Sequence, residues 1–131
     1  LRLSSAASDV YKRQAKYSAG NLTIGYGKSF QAPELLSSSA TGASVEYYEN
    51  TGYSLAYAVN DELSVSYTRE TSEANQAHSS NTTYDIEMDS VQFAYSLGGA
   101  TLSVARADYE NVGYVQNEDV TETILAMTFA F

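Results

Sequence analysis

The stretch Tyr53-Ser54-Leu55-Ala56-Tyr57-Ala58-Val59-Asn60-Asp61-Glu62-Leu63-Ser64-Val65-Ser66-Tyr67 decides the fold class. Apolar residues fall on every second position (53, 55, 57, 59, then 63, 65, 67), with small or polar residues between them. A period of two is that of a strand with one face in an apolar medium, and the helical period of 3.6 is absent. The break at Asn60-Asp61 is a pair suited to a tight hairpin turn. Two antiparallel strands are therefore expected here.

The same alternation extends in both directions. Upstream lies Leu22, Ile24, Tyr26; downstream lie Val91, Phe93, Tyr95, Leu97, then Leu102, Val104, then Leu125, Met127, Phe129, Phe131. That makes six strands, and Lys16-Tyr17-Ser18 before the short turn Ala19-Gly20-Asn21 reads as the remnant of one more. The interleaved positions are small or polar, including Thr23, Gly25, Gly27, Gln92, Ala94, Ala126 and Thr128. Gly98-Gly99 supplies another short turn. Longer polar loops are expected at about residues 31–44, 73–82 and 110–118. The expected fold is all-β: an antiparallel meander with short turns at one rim and long loops at the other.

Composition narrows the function. The chain has 131 residues, a net charge of -9, no cysteine and His78 as its one histidine. A thiol nucleophile and a histidine metal cluster are excluded, and so is a disulfide framework. Seven Lys and Arg against sixteen Asp and Glu make a phosphate backbone a poor partner, so no nucleic acid is expected. No run of about 18 apolar residues exists to form a transmembrane helix. Membrane-spanning strands need none, because their signal is this weaker alternation. The alternative is a soluble β-sandwich serving as a binding module, of adhesin or carbohydrate-binding type, in which two apolar faces meet. Tyr and Phe toward strand ends, together with short and long connections at opposite ends, favour a barrel with lipid outside and water inside.

Residues 1–14, Leu1 to Gln14, lack the alternation and hold three of the seven basic residues. They contain no apolar core of a secretory signal. The string resembles translated sequencing-adapter read-through, which would make it a non-native tail and residues 15–131 the domain proper. That remainder carries four basic and fifteen acidic residues, a net of -11.

The chain ends on Thr123-Ile124-Leu125-Ala126-Met127-Thr128-Phe129-Ala130-Phe131. This resembles the closing strand of bacterial outer-membrane barrels, whose aromatic last residue and preceding apolar ones (here Leu125, Met127, Phe129 and Phe131) serve as the signal for the barrel-assembly machinery. Gly20-Asn21-Leu22-Thr23-Ile24-Gly25-Tyr26-Gly27 and Gly98-Gly99-Ala100-Thr101-Leu102-Ser103-Val104 resemble strand starts of Gram-negative general porins of the alphaproteobacterial type. The resemblance implies a bacterial outer-membrane, sixteen-stranded, trimeric porin of about 300 residues, of which this is a C-terminal part. It also implies lipid and lipopolysaccharide as surroundings, passive passage of small hydrophilic solutes, and no cofactor. Six strands alone cannot close, since the smallest barrels use eight.

Parity assigns candidate pore-lining residues. Glu62, Glu70, Gln92, Glu122 and Thr128 fall on the small-residue side, where acidic groups would favour cations through the local potential. Glu62 and Glu70 could equally be solvated at the two rims. Arg69 and Arg106 count to the apolar side, where a cation near the bilayer midplane is costly. Either both sit at the outer interface with their guanidiniums reaching lipid phosphates, or a bulge turns them inward, where the resemblance implies a basic wall. Carboxylates gather toward the long-loop end without the spacing of a calcium loop. No enzyme is expected, because His78 has neither a nucleophile elbow nor an orienting partner.

Overall fold

The computed structural model describes residues 10–32, 45–76 and 84–129. Within them the period-two segments become strands β1 (Val10–Ala19), β2 (Leu22–Gln31), β3 (Val45–Ala58), β4 (Leu63–Gln76), β5 (Ile86–Ser96), β6 (Ala100–Glu110) and β7 (Val120–Phe129). Each pairs antiparallel with the next, giving one seven-stranded meander with β1 and β7 at its edges and no closure. The seventh strand is β1, which starts at Val10 rather than as a short stub at Lys16. Val10 to Gln14 are register partners of Gln31 to Gly27.

The short connections lie at one end. Gly20-Asn21 and Gly98-Gly99 are two-residue turns whose first glycine has φ of 57° and 66°. Positive φ is reached by glycine without the clash a Cβ would bring. The β3–β4 connection is longer than a two-residue turn: Val59–Glu62 bridge the strands, and the Asn60 side-chain oxygen accepts from the amides of Glu62 (2.9 Å) and Leu63 (2.7 Å). An Asx turn of this kind gives the backbone a partner that glycine cannot supply. At the other end the β6–β7 connection contains a single 3-10 turn, Val112–Tyr114.

The register is continuous except for one irregularity between Val45 and Tyr47. Alternation therefore sorts side chains cleanly. Tyr26, Tyr53, Leu55, Val65, Phe93, Val104 and Leu125 share one face; Thr23, Gly25, Ser54, Ser66, Ala94, Ser103 and Ala126 share the other. A cleft of about 500 Å³ spans β1 to β4 on the small-residue face.

The sheet has no core. Among the described residues Ala74, at 4 % exposure, is the one buried apolar residue. Leu125 is 70 % exposed, Phe93 51 % and Tyr53 57 %. In a sandwich these side chains would lie against a second sheet, yet the described strands form a single one.

The turns give a direct test. A side chain at Gly20 or Gly98 meets no neighbour within 4 Å, so only its positive φ penalises it. Gly20→Val and Gly98→Val should each destabilise the refolded chain by about 1–2 kcal/mol. A Cβ at Gly27 would make ordinary contact at 3.8 Å with Gln14, so Gly27→Ala should be near neutral. Urea midpoints in detergent measure all three.

Candidate functional site

The two faces differ in what they offer a surrounding medium. On the apolar face the greasy positions run Leu22, Ile24, Tyr26 in β2; Tyr57, Leu55, Tyr53 in β3; Leu63, Val65, Tyr67 in β4; Tyr95, Phe93, Val91 in β5; Leu102, Val104 in β6; and Phe129, Met127, Leu125 in β7. The band crosses roughly 25 Å of sheet at the usual strand spacing. The upper edge of this continuous band does not follow the register; beyond it, above Lys28 on the same face, stands a separate aromatic group of Tyr11, Phe30 and Tyr47. Tyr26 pairs with Tyr53, but the last apolar residue of β4 is Tyr67, which pairs with Leu55, one row lower. In β6 and β7 the edge drops another row, to Val104 and its partner Leu125. From β2 to β7 it falls four residues over five strand spacings, about 13 Å in 24 Å, an inclination of roughly 30°.

Charged residues stand immediately above this oblique edge and pair with each other. Lys28 of β2 forms an ion pair with Glu49 of β3. Arg69 of β4 binds Glu87 and, at 3.4 Å, Asp89 of β5, and the Tyr67 hydroxyl donates to Asp89. Arg106 of β6 meets Asp108 through Nε (3.2 Å) and Nη2 (3.1 Å), and Thr121 of β7 donates to Asp108 at 2.6 Å. Arg69 and Arg106 thus keep the parity of the apolar side, and neither strand carries a bulge beside its arginine. Glu87, Asp89 and Asp108, which the sequence groups with the long loops, lie on strands as the arginines' counter-charges. Such exposed pairs contribute little stability in water. Their organisation is positional: each cation stands at the band's edge with a carboxylate within reach.

On the small-residue face Glu70 pairs in register with Gly52 and Met88, Gln92 with Ser66 and Ala105, Glu122 with Ala107, and Thr128 with Thr101. Glu62 is on neither face; it lies in the exposed β3–β4 turn, where its carbonyl accepts from the Ser96 amide at 2.8 Å. Glu70 lines the cleft. A Cβ built on Gly52 would sit 3.4 Å from the Glu70 Cγ, so the glutamate lies along ground that Gly52 leaves open. Gly27 and Gly52 are partners, and the cleft they floor is walled by Gln14 and Lys16 on one side and Thr68 and Glu70 on the other. Leu125, Met127 and Phe129 are on the apolar face; Phe131 and His78 lie outside the described residues. No metal-holding group of three His, Cys, Asp or Glu gathers among the described residues.

One part of this surface escaped the sequence reading. The β6–β7 loop, read there only as polar, folds over the small-residue face. Tyr114 stacks on Tyr48 of β3, with ring centroids 5.6 Å apart, and its hydroxyl shares a 2.8 Å hydrogen bond with Ser72 of β4. Asn111 braces the loop. Its amide donates to Asp119 (3.2 Å), its side-chain NH₂ to the Asp85 carbonyl (3.1 Å), and its side-chain oxygen accepts from the Asn117 amide (3.2 Å). Asn111, Tyr114 and Asn117 all have positive φ, and among the described residues they are the only non-glycines that do. Asparagine tolerates that conformation; a tyrosine is held there by its surroundings. The signal that could have found it is Asn111-Val112-Gly113-Tyr114, where Asn and Gly mark left-handed turns around an aromatic residue.

Comparison of the chain with protein families, with curated proteins and with solved structures finds no match.

Asn111→Ala removes two of the loop's hydrogen bonds and places alanine at φ 55°. The local opening free energy should fall by about 1–2 kcal/mol, seen as roughly tenfold or more faster hydrogen exchange at the Val112 and Asn117 amides. Exchange in β4 and β5 should be unchanged.

Proposed function

We propose that this sheet forms part of the wall of a water-filled channel in the bacterial outer membrane, through which small hydrophilic solutes and ions pass by diffusion. The observation that carries the reading is the oblique apolar band. Strands of a transmembrane barrel tilt by about 35–45° from the membrane normal, so a membrane surface must cut across the register at a comparable angle. The edge of this band does so at roughly 30°, with aromatic residues and paired charges along it.

In this reading the apolar face meets lipid and the small-residue face meets water. Lys28, Arg69 and Arg106 stand at the level of phosphate-bearing headgroups, including those of lipopolysaccharide. β1 and β7 run in the same direction, because each of the six steps between them is antiparallel. Antiparallel closure then needs an odd number of further strands, and nine would complete sixteen. Leu125, Met127, Phe129 and Phe131 would be the residues presented to the assembly machinery, and the complete barrel would assemble as a trimer. Diffusion through such a pore needs no cofactor.

The faces make selectivity the informative measurement. In planar bilayers the full-length chain should give discrete conductance steps. Glu70→Gln with Glu122→Gln should lower its cation-over-anion permeability ratio by about twofold. Arg106→Gln, on the lipid side, should leave that ratio unchanged. A folded full-length chain without step conductance would count against the channel.

A further inference from the structure

We infer that the β6–β7 loop, residues 111–119, is a fixed restrictor of this channel, with Tyr114 as the residue that limits what passes. The inference rests on the channel reading above and adds to it a specific obstruction. A loop at a barrel mouth can extend away from the strands or fold across the opening. This one leaves β6 and reaches back over β5 to β4 and β3, where Tyr114 stacks on Tyr48 and bonds Ser72. From β6 to β3 is three strand spacings, roughly 14 Å along the sheet.

Both partners, Tyr48 and Ser72, lie on the small-residue face, the side that carries the cleft. The 3-10 turn also packs on β5. Ile86, Met88 and Tyr109 share that face and are half-buried.

The loop is also braced against moving. Asn111 ties its two ends together and to Asp85, and the Val112 amide donates to the Glu118 carbonyl at 2.7 Å. A side chain seated at one end and cross-linked at the other occupies volume permanently, which distinguishes a restrictor from a swinging lid. The ring of Tyr114 fills space on the water side of the wall, and Glu118 and Asp119 bring carboxylates to the same loop.

Two measurements separate this inference from the reading it rests on. The chain has no cysteine, so Tyr48→Cys with Tyr114→Cys can be joined by a short bis-methanethiosulfonate linker, with Ser54→Cys and Thr68→Cys as a register-paired control. The 48–114 pair should link as fully as the control; a control that links while the 48–114 pair does not overturns the loop's seat. In bilayers, Tyr114→Ala in the full-length chain should raise single-channel conductance about twofold and admit larger neutral sugars, and Tyr114→Phe, which keeps the stack, should stay close to the parent. A pair that links with conductance unchanged in Tyr114→Ala overturns the restrictor while leaving the channel. A pair that links in a chain that never conducts overturns the channel and the restrictor with it, leaving the loop's position intact.

Discussion

Everything in this molecule depends on the backbone ladder. Seven strands exchange hydrogen bonds with their neighbours over ten or more positions each, and among the described residues no layer packs behind them. A soluble domain of this size obtains most of its stability from apolar side chains removed from water. Here those side chains are present, aligned and uncovered. The ladder satisfies the backbone but cannot by itself repay the conformational entropy of ordering the chain. In the proposed channel the missing burial would come from hydrocarbon, which suits a face whose polar backbone groups are already paired. Among the described strands that pairing stops at β1 and β7, and an exposed strand edge is an aggregation hazard in water.

The charges follow from the same constraint. If the apolar face is set in lipid as proposed, a cation on it is tolerable only near the headgroups, so its height on the strand would match the band edge. Lys28, Arg69 and Arg106 sit in different register rows yet all stand directly above that edge. Register alone would make their positions look unrelated; the inclination proposed for the strands would put them at one level. Carboxylate partners on the same face then reduce the net charge presented there.

The sequence disclosed whatever has period two. The faces of β2 to β7, the two-residue turns at Gly20 and Gly98 and the meander order were legible because each is local or follows from its neighbours. The start of β1 was not, since Val10 to Gln14 show no apolar alternation and are held by backbone pairing that any side chain can join. The upper halves of β3 and β4 were hidden for a similar reason: Glu70 to Gln76 is polar, yet it continues the ladder to Val45. Parity placed Arg69 and Arg106 on the apolar side but could not identify their partners, because Glu87 and Asp89 are 18 and 20 residues from Arg69 and meet it only across the register. Asn111-Val112-Gly113-Tyr114 marks the turns of the β6–β7 loop, but the seat of Tyr114 on Tyr48 and Ser72 was not legible, since it joins residues far apart in sequence across three strands.

The unequal strand heights explain why the loop has somewhere to go. The β6–β7 ladder ends at Tyr109 paired with Val120. The row through Tyr109 continues through Met88 and Glu70 to Gly52, and β3 and β4 continue above it to Val45 and Gln76. Six more residues at about 3.3 Å each make that wall roughly 20 Å taller than the β6–β7 edge. A loop released from the low side of the sheet can lean on the small-residue face of the high side. Ser72 and Tyr48 lie two and four residues above the level at which the loop departs. If β6 and β7 were as tall as β4, the same loop would start level with the rim and have no wall to lean on. In the proposed channel, the tilt that would fit the sheet to a bilayer would also stagger the strand tops, so the height that seats Tyr114 and the oblique apolar band would share one geometric origin.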